Sequence, residues 1–210
     1  MFMDGDGIPL AFSLFPGNAN EQTSIKPLEE KILNEFDCQK FIYCSDAGLG
    51  SEKIRKYNHM GERAFVVTQS IKKLNAQDRQ WALDTKGFKR LSDDKVVDLS
   101  ETSKDDEAIY YKDATYTPKD LSQRLIITYS PKYAKYQKTI REKQVDRAKL
   151  MLEKGSIKKE RRNPNDPARF ISSLAVTDDG EKANVHNFLN TDKIDEETKY
   201  DGMYAVSTDL

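Results

Sequence analysis

Asp46 is the residue that its surroundings in the sequence best equip for chemistry. It sits in the run Phe41-Ile-Tyr-Cys-Ser-Asp-Ala-Gly-Leu-Gly50, where a short apolar segment gives way to one carboxylate and then to a glycine-broken turn. In α/β proteins, ligands and metals gather outside the carboxyl ends of strands, so an acid placed there points into a crevice. Hard divalent cations take oxygen ligands, and two-metal phosphoester chemistry draws its ligands from several side chains. Asp46 supplies one carboxylate, which by itself is too few for a metal site.

Other candidate chemistries are weaker. Asp4-Gly5-Asp6-Gly7 follows an apolar start, and a strand followed by Asp-x-Asp-Gly is similar to the opening of haloacid-dehalogenase-type phosphatases, with Asp178-Asp179 as a later metal motif. Those enzymes need a loop and helix after the acids. Here Ile8, Leu10, Phe12 and Leu14 alternate with Pro9, Ala11 and Ser13, which is strand period. The Asp-Gly pairs therefore read as a hairpin turn. An EF-hand fits less well still, because Phe15, not Glu, stands at the twelfth loop position. His59 and His186 have no Ser or Cys partner nearby in sequence and read as surface residues. Cys38 and Cys44 lack metal-ligand spacing, and Cys44 reads as a packed thiol in a buried strand. The chain contains no P-loop, dinucleotide turn or nucleophile elbow.

The elements that must position Asp46 can be read from periodicity. Residues 1–14 form a hairpin. Ile25, Leu28, Ile32, Leu33 and Phe36 share a helical face over 23–36, with Thr23 or Ser24 as N-cap and Pro27 tolerated in the first turn. Residues 40–44 are a short buried strand, Ser51 caps a helix to about His59, and 64–68 are another strand. The order β-β-α-β-α-β over 1–68 is an α/β pattern. Residues 71–86 read as helical around Trp81, a core plug, and strands are expected at 95–99, 108–112 and 124–129. Pro131 opens a long helix to about Lys154, closed by Gly155. A loop covers 156–167, and strands are expected at 170–176 and 203–208.

Composition sets bounds on the partners. With 33% charged and 37% hydrophobic residues, the 210-residue chain suits one domain, or one plus a large insertion. No segment has the length and apolarity of a membrane span, no signal peptide is visible, and the cytoplasm is the expected compartment. The net charge of −1 conceals a basic block: residues 132–162 hold twelve Lys or Arg against four Asp or Glu, a local +8, so the remainder carries −9. Such a block is either a solvated helix face or a nucleic-acid footprint.

The order of features, a hairpin, a helix, and a buried strand ending in Asp46, resembles a ribonuclease-H-like nuclease core from its second strand onward. More specifically, the chain resembles the DDE transposases of bacterial insertion sequences, in the branch with a β-rich insertion between the second Asp and the final Glu. The resemblance rests on Asp4-Gly-Asp-Gly-Ile-Pro-Leu-Ala-Phe12, Phe15-Pro-Gly-Asn18 with Glu21, Cys44-Ser-Asp-Ala-Gly48, Gly61-Glu-Arg-Ala-Phe65 with Thr68-Gln-Ser70, and Tyr200-Asp-Gly-Met-Tyr204.

This resemblance implies an α/β fold: a partial ribonuclease-H-like core over 1–70, an inserted β-rich α+β subdomain over 71–199, and a strand returning to the core over 200–210. It implies magnesium-dependent cleavage and joining of transposon DNA ends, with Asp46 as the second catalytic, metal-binding carboxylate. The family's first Asp lies upstream of the hairpin and its Glu lies beyond the last strand, so the chain alone is expected to be inactive. Tyr136, Arg141, Glu142 and Lys143 imitate the family's Tyr-Arg-Glu-Lys signature, but their spacing is wrong and their helix belongs to the insertion. In this context the basic helix is a DNA-binding element, with Arg141, Lys143, Arg147 and Lys149 as its contacts. A core lacking its first strand presents unpaired backbone, and a homodimer is one way to cover it. The rival expectation is a non-catalytic DNA- or protein-binding remnant.

Overall fold

In the computed structural model of the chain, Asp4 makes the first turn. Its Oδ1 accepts from the amides of Asp6 and Ile8 at 3.0 and 2.8 Å, and Gly7 follows at φ +82°. This joins β1 (Phe2–Met3) to β2 (Pro9–Ala11) as an antiparallel hairpin. The description covers all residues except 13, 15, 17–20, 37–39, 104, 156–164 and 177–183. Cys38, Asp178-Asp179, Gly17-Asn18 and most of the loop expected over 156–167 therefore lie outside the described residues.

The first helix, α1 (Glu21–Phe36), starts earlier than expected, so Thr23 and Ser24 are inside it and Pro27 stands beyond its first turn. Burial of Ile25 and Ile32 on one face outweighs the amide that Pro27 lacks. Next come β3 (Phe41–Ser45), α2 (Glu52–Asn58) and β4 (Arg63–Thr68). β3 and β4 pair in parallel, with Phe41 opposite Arg63 and Ser45 opposite Val67, and α2 is the crossover between them.

A short 3₁₀ turn (Ile71–Lys73) precedes α3 (Ala76–Leu83). The strands β5 (Phe88–Arg90), β6 (Val96–Val97), β7 (Tyr110–Tyr116) and β8 (Gln123–Tyr129) follow. Ser130 then caps α4 (Pro131–Glu153), its hydroxyl accepting from the Tyr133 amide, with Pro131 in the first helical turn and Gly155 at φ +62° just past the end. Last come β9 (Ile171–Val176), β10 (Asn184–Leu189), α5 (Thr191–Thr198) and β11 (Met203–Thr208).

The protein is α/β. A seven-stranded mixed sheet has the order β3-β4-β11-β8-β7-β5-β6, with β3–β4 its parallel pair. The β1–β2 hairpin and the antiparallel β9–β10 pair are separate two-stranded sheets. The chain divides into two compact units. Unit 1 is Met1–Asn75, Asp113–Ile127 and Tyr204–Leu210, and unit 2 is Ala76–Lys112 and Thr128–Met203. Residues 113–127, within the expected insertion, thus belong to unit 1. Phe65, Val67 and Leu121 form the unit 1 core with Tyr43 against them. In unit 2, Ala148, Phe170 and Ile171 pack with Val145, Met151, Leu152, Leu189 and Ile194.

Two further expectations are corrected. Cys44 is exposed rather than packed, because β3 is the outermost strand of the sheet and its even positions, Ile42 and Cys44, face outward. Trp81 is only partly buried. The Lys112 ammonium lies 5.0 Å from its ring centroid, so Trp81 borders the core rather than plugging it.

Candidate functional site

Asp46 lies immediately beyond the carboxyl end of β3, exposed, in a turn that its own side chain organises. Oδ1 accepts from the amides of Gly48 at 2.9 Å and Leu49 at 3.2 Å, while Oδ2 enters no described hydrogen bond. Gly48 packs closely on that carboxylate: a Cβ there would meet Asp46 Oδ1 at 3.2 Å, so a larger residue would have to displace it by a few tenths of an ångström. Tyr43 Oη donates to the Leu49 carbonyl at 3.1 Å, and burial raises the Tyr43 pKa, keeping that donor protonated.

The far end of the turn is fixed by a buried polar network within unit 1. Arg55 Nε donates to the Gly50 carbonyl at 2.9 Å. Its terminal nitrogens donate to Gln123 Oε1 at 3.0 Å and Gln69 Oε1 at 2.9 Å, and Ser207 Oγ donates to the same Gln123 oxygen at 2.6 Å. Planar guanidinium geometry suits this fan of three acceptors. One side chain from α2 thereby ties the Asp46 turn to the residue after β4, to β8 and to β11. Sequence reading did not single out Arg55. The only local signal is its place beside buried Ile54, in a helix otherwise rich in solvent-facing charge.

The other acids and histidines do not join Asp46. Among the described residues, no three His, Cys, Asp or Glu side chains converge as metal ligands. Asp4 spends Oδ1 on the hairpin turn. Exposed His59 pairs through Nδ1 with Asp209 Oδ2 at 2.8 Å, and Asp209 Oδ1 accepts from the Phe65 amide at 2.7 Å. His186 is exposed on β10. A cleft of about 320 Å³ in unit 2 is lined by Arg90, Lys95, Asp98, Asp106 and Tyr110 and contains none of the expected site residues. Two of its acids are already engaged: hydrogen bonds from Thr85 and Ser100 lower the Asp98 pKa, and those from Tyr110 and Ala108 lower that of Asp106.

The four expected DNA contacts separate. Arg141 is buried and ion-paired with Asp201, so its guanidinium faces into unit 2 and is not presented to a phosphate. Lys149 is exposed and pairs with Asp146 at 3.4 Å. Lys143 and Arg147 are exposed and enter no ion pair among the described residues, and Glu142 pairs with Lys138 at 3.8 Å. Lys132 and Lys154, not singled out from sequence, share the state of Lys143 and Arg147. Their signal was present as helical spacing from Lys143 and Arg147.

No helix among the described residues is long and apolar enough to cross a membrane. Compared with known proteins, the chain matches no family model, no curated protein and no solved structure.

Proposed function

We propose that Asp46 is the second metal-binding carboxylate of a DDE-type transposase, and that this chain supplies the central part of such an enzyme on a ribonuclease-H-like core. The observation that carries the reading is the position of Asp46. It stands beyond the strand that pairs in parallel with its neighbour, on an exposed side chain with one oxygen held by its own turn and the other in no described hydrogen bond. Magnesium is the implied metal. It binds through one or two carboxylates while keeping several waters, and Asp46 fits as one such ligand. The remaining carboxylates of the trio are assigned to no residue of this chain. The chemistry a magnesium ion held there would supply is charge stabilisation during phosphoryl displacement. Asp46 contributes a negative oxygen on a turn fixed at one end by Oδ1 and at the other by Arg55. Lys143 and Arg147 serve as DNA-backbone contacts, which position the nucleic acid without reading its sequence.

The test uses manganese as the probe. Mn²⁺ at millimolar concentration broadens the amide signals of residues 45–50 in the native chain. Asp46→Asn, which keeps an oxygen for the Gly48 and Leu49 amides, loses most of the broadening. Full broadening in that variant removes Asp46 from the role. In a polypeptide that also carries the flanking coding sequence, the same variant loses magnesium-dependent DNA cleavage.

One observation favours the rival reading of a non-catalytic nucleic-acid-binding protein: the α4 cations that enter no ion pair among the described residues need no metal to bind phosphate. That reading predicts salt-dependent DNA binding with no cleavage even when the flanking sequence is present.

A further inference from the structure

The exposed side of α4 consists of two stripes of different character. One holds Lys135, Lys138 and Lys149, each paired with an acid: Asp105 at 3.5 Å, Glu142 at 3.8 Å and Asp146 at 3.4 Å. The other runs Lys132, Tyr136, Ile140, Lys143, Arg147, Leu150 and Lys154, at steps of four, four, three, four, three and four residues. Those steps follow the helical period, so these seven side chains form a single line about 33 Å long. It contains no acid. Its four cations enter no ion pair among the described residues. Tyr136 is 60% exposed, Leu150 50% and Ile140 38%. Tyr133 stacks on Tyr136 with ring centroids 6.2 Å apart, which braces the Tyr136 ring from one side.

The opposite face of α4 is committed. Arg141 and Ala148 are buried, Arg141 is ion-paired with Asp201, and Val145, Met151 and Leu152 pack on the Phe170 core. The helix therefore cannot roll, and the stripe is a fixed feature of unit 2.

We propose that this stripe binds single-stranded nucleic acid, with the cations along the phosphates and a base stacked on Tyr136. The proposal rests on the nucleic-acid reading of the helix and narrows it. Charge complementarity selects a polyanion. The interleaving of cations with an open aromatic ring and two aliphatic side chains selects one whose bases are accessible, since a duplex turns its bases inward and would leave Tyr136, Ile140 and Leu150 against phosphate. Base–aromatic stacking is tolerant of sequence, so the stripe grips a strand without reading it.

The test is fluorescence anisotropy of the intact chain with labelled oligothymidylate, a duplex of equal phosphate count, and vesicles of mixed phosphatidylserine and phosphatidylcholine. Single strand is expected to bind tighter than duplex. The plot of log K against log salt is expected to slope about −3, from about 0.7 for each of four neutralised phosphates. Lys143→Gln with Arg147→Gln reduces that slope by about 1.4. Tyr136→Ala weakens single-strand binding about tenfold at an unchanged slope, and Tyr136→Phe retains it. Lys135→Gln with Lys138→Gln, on the paired stripe, changes neither. Duplex binding as tight as single strand with Tyr136→Ala silent, vesicle binding without oligonucleotide binding, or no binding at all each overturns the proposal. The Mn²⁺ broadening of residues 45–50 reads the metal site without any nucleic acid, so failure of the metal reading is distinguished from failure of this one.

Discussion

Replacing Glu29 by Gln should stabilise this protein at neutral and alkaline pH and remove part of its pH dependence. Glu29 lies on α1 with only 1% of its surface exposed. Its Oε1 accepts from Asn58 Nδ2 at 3.2 Å, and the same nitrogen donates to the Ile54 carbonyl at 3.2 Å, which fixes the orientation of the amide. Glu29 Oε2 and Asn58 Oδ1 are buried without partners among the described residues. Both are acceptors while Glu29 is ionised. A proton on Oε2 makes it a donor and removes the buried negative charge.

Burial is the dominant influence on Glu29 and raises its pKa above the ordinary 4.5. The Asn58 hydrogen bond, Arg63 and Lys26 act in the opposite direction, and Glu30 adds to the rise. Tyr43 also lies within electrostatic reach. With the folded pKa raised, the native state keeps a proton that the unfolded chain has released. This contribution is therefore complete below about 4.5 and declines as pH rises through the folded value.

Gln presents a donor and an acceptor at every pH. A buried polar group left unsatisfied costs about 1–3 kcal/mol. Glu29→Gln should therefore gain about 1–3 kcal/mol at pH 8 and differ by under about 0.5 kcal/mol at pH 4.5. Urea unfolding at four pH values measures this, followed by far-UV circular dichroism because the single Trp81 reports unit 2. A variant less stable than native at pH 8, or one whose stability falls with pH as steeply as the native protein's, would refute the reasoning.

Two more predictions follow from single sites in unit 2. Lys112 is buried, donates to the carbonyls of Trp81 at 2.6 Å and Asp84 at 2.5 Å, and has its pKa lowered to about 8 by burial. The unfolded chain holds that proton to about 10.5, so stability should rise between pH 8 and 10; Lys112→Met should lose this rise and about 1–3 kcal/mol at pH 7, both readable by urea unfolding on Trp81 fluorescence. Gly202 has φ +76°, and a Cβ there would meet Ser130 O and Tyr129 Cε2 at 2.7 Å and Ala134 Cβ at 2.8 Å; Gly202→Ala should cost about 3 kcal/mol or more through strain and displaced packing, and an unchanged thermal midpoint would show that the start of α4 can move aside.

What could be read from the sequence is what local signals determine. The parallel β3–α2–β4 unit, the hairpin turn at Asp4, the start of α4 at Ser130-Pro131 and the last strand all carry their own periodicity or turn residues. β5 and α5 do not. β5 is three residues whose strand character comes from pairing with Tyr110 and Tyr111. α5 has Ile194 as its lone strong apolar anchor, and its Glu197 is fixed bidentately by Arg169, 28 residues earlier, at 3.0 and 3.1 Å. The same limit applied to the basic block. A count of charges over 132–162 cannot show that Arg141 turns inward to Asp201, because the 60-residue separation of that pair is bridged only by folding. Once helical phase is applied to the observed burial, the cations without an ion pair among the described residues emerge as one line.

Asp46 illustrates why a single carboxylate can be read from sequence as a position but not as a ligand set. An exposed aspartate ordinarily samples several rotamers, and holding a cation means giving up that freedom. Here the Gly48 and Leu49 amides already restrain the side chain through Oδ1, and Gly48 leaves just enough space for it. Much of the ordering cost is thus met by the turn before any cation arrives, and Oδ2 is left as a monodentate donor with a set direction. The two backbone bonds also draw on the same negative charge that a metal would use, which weakens Asp46 as an isolated ligand. It becomes effective only where further oxygens share the ion. The turn therefore suits one corner of a shared site, and it explains why Asp46→Asn, which retains the turn, separates the structural role of this residue from its proposed chemical one more cleanly than Asp46→Ala.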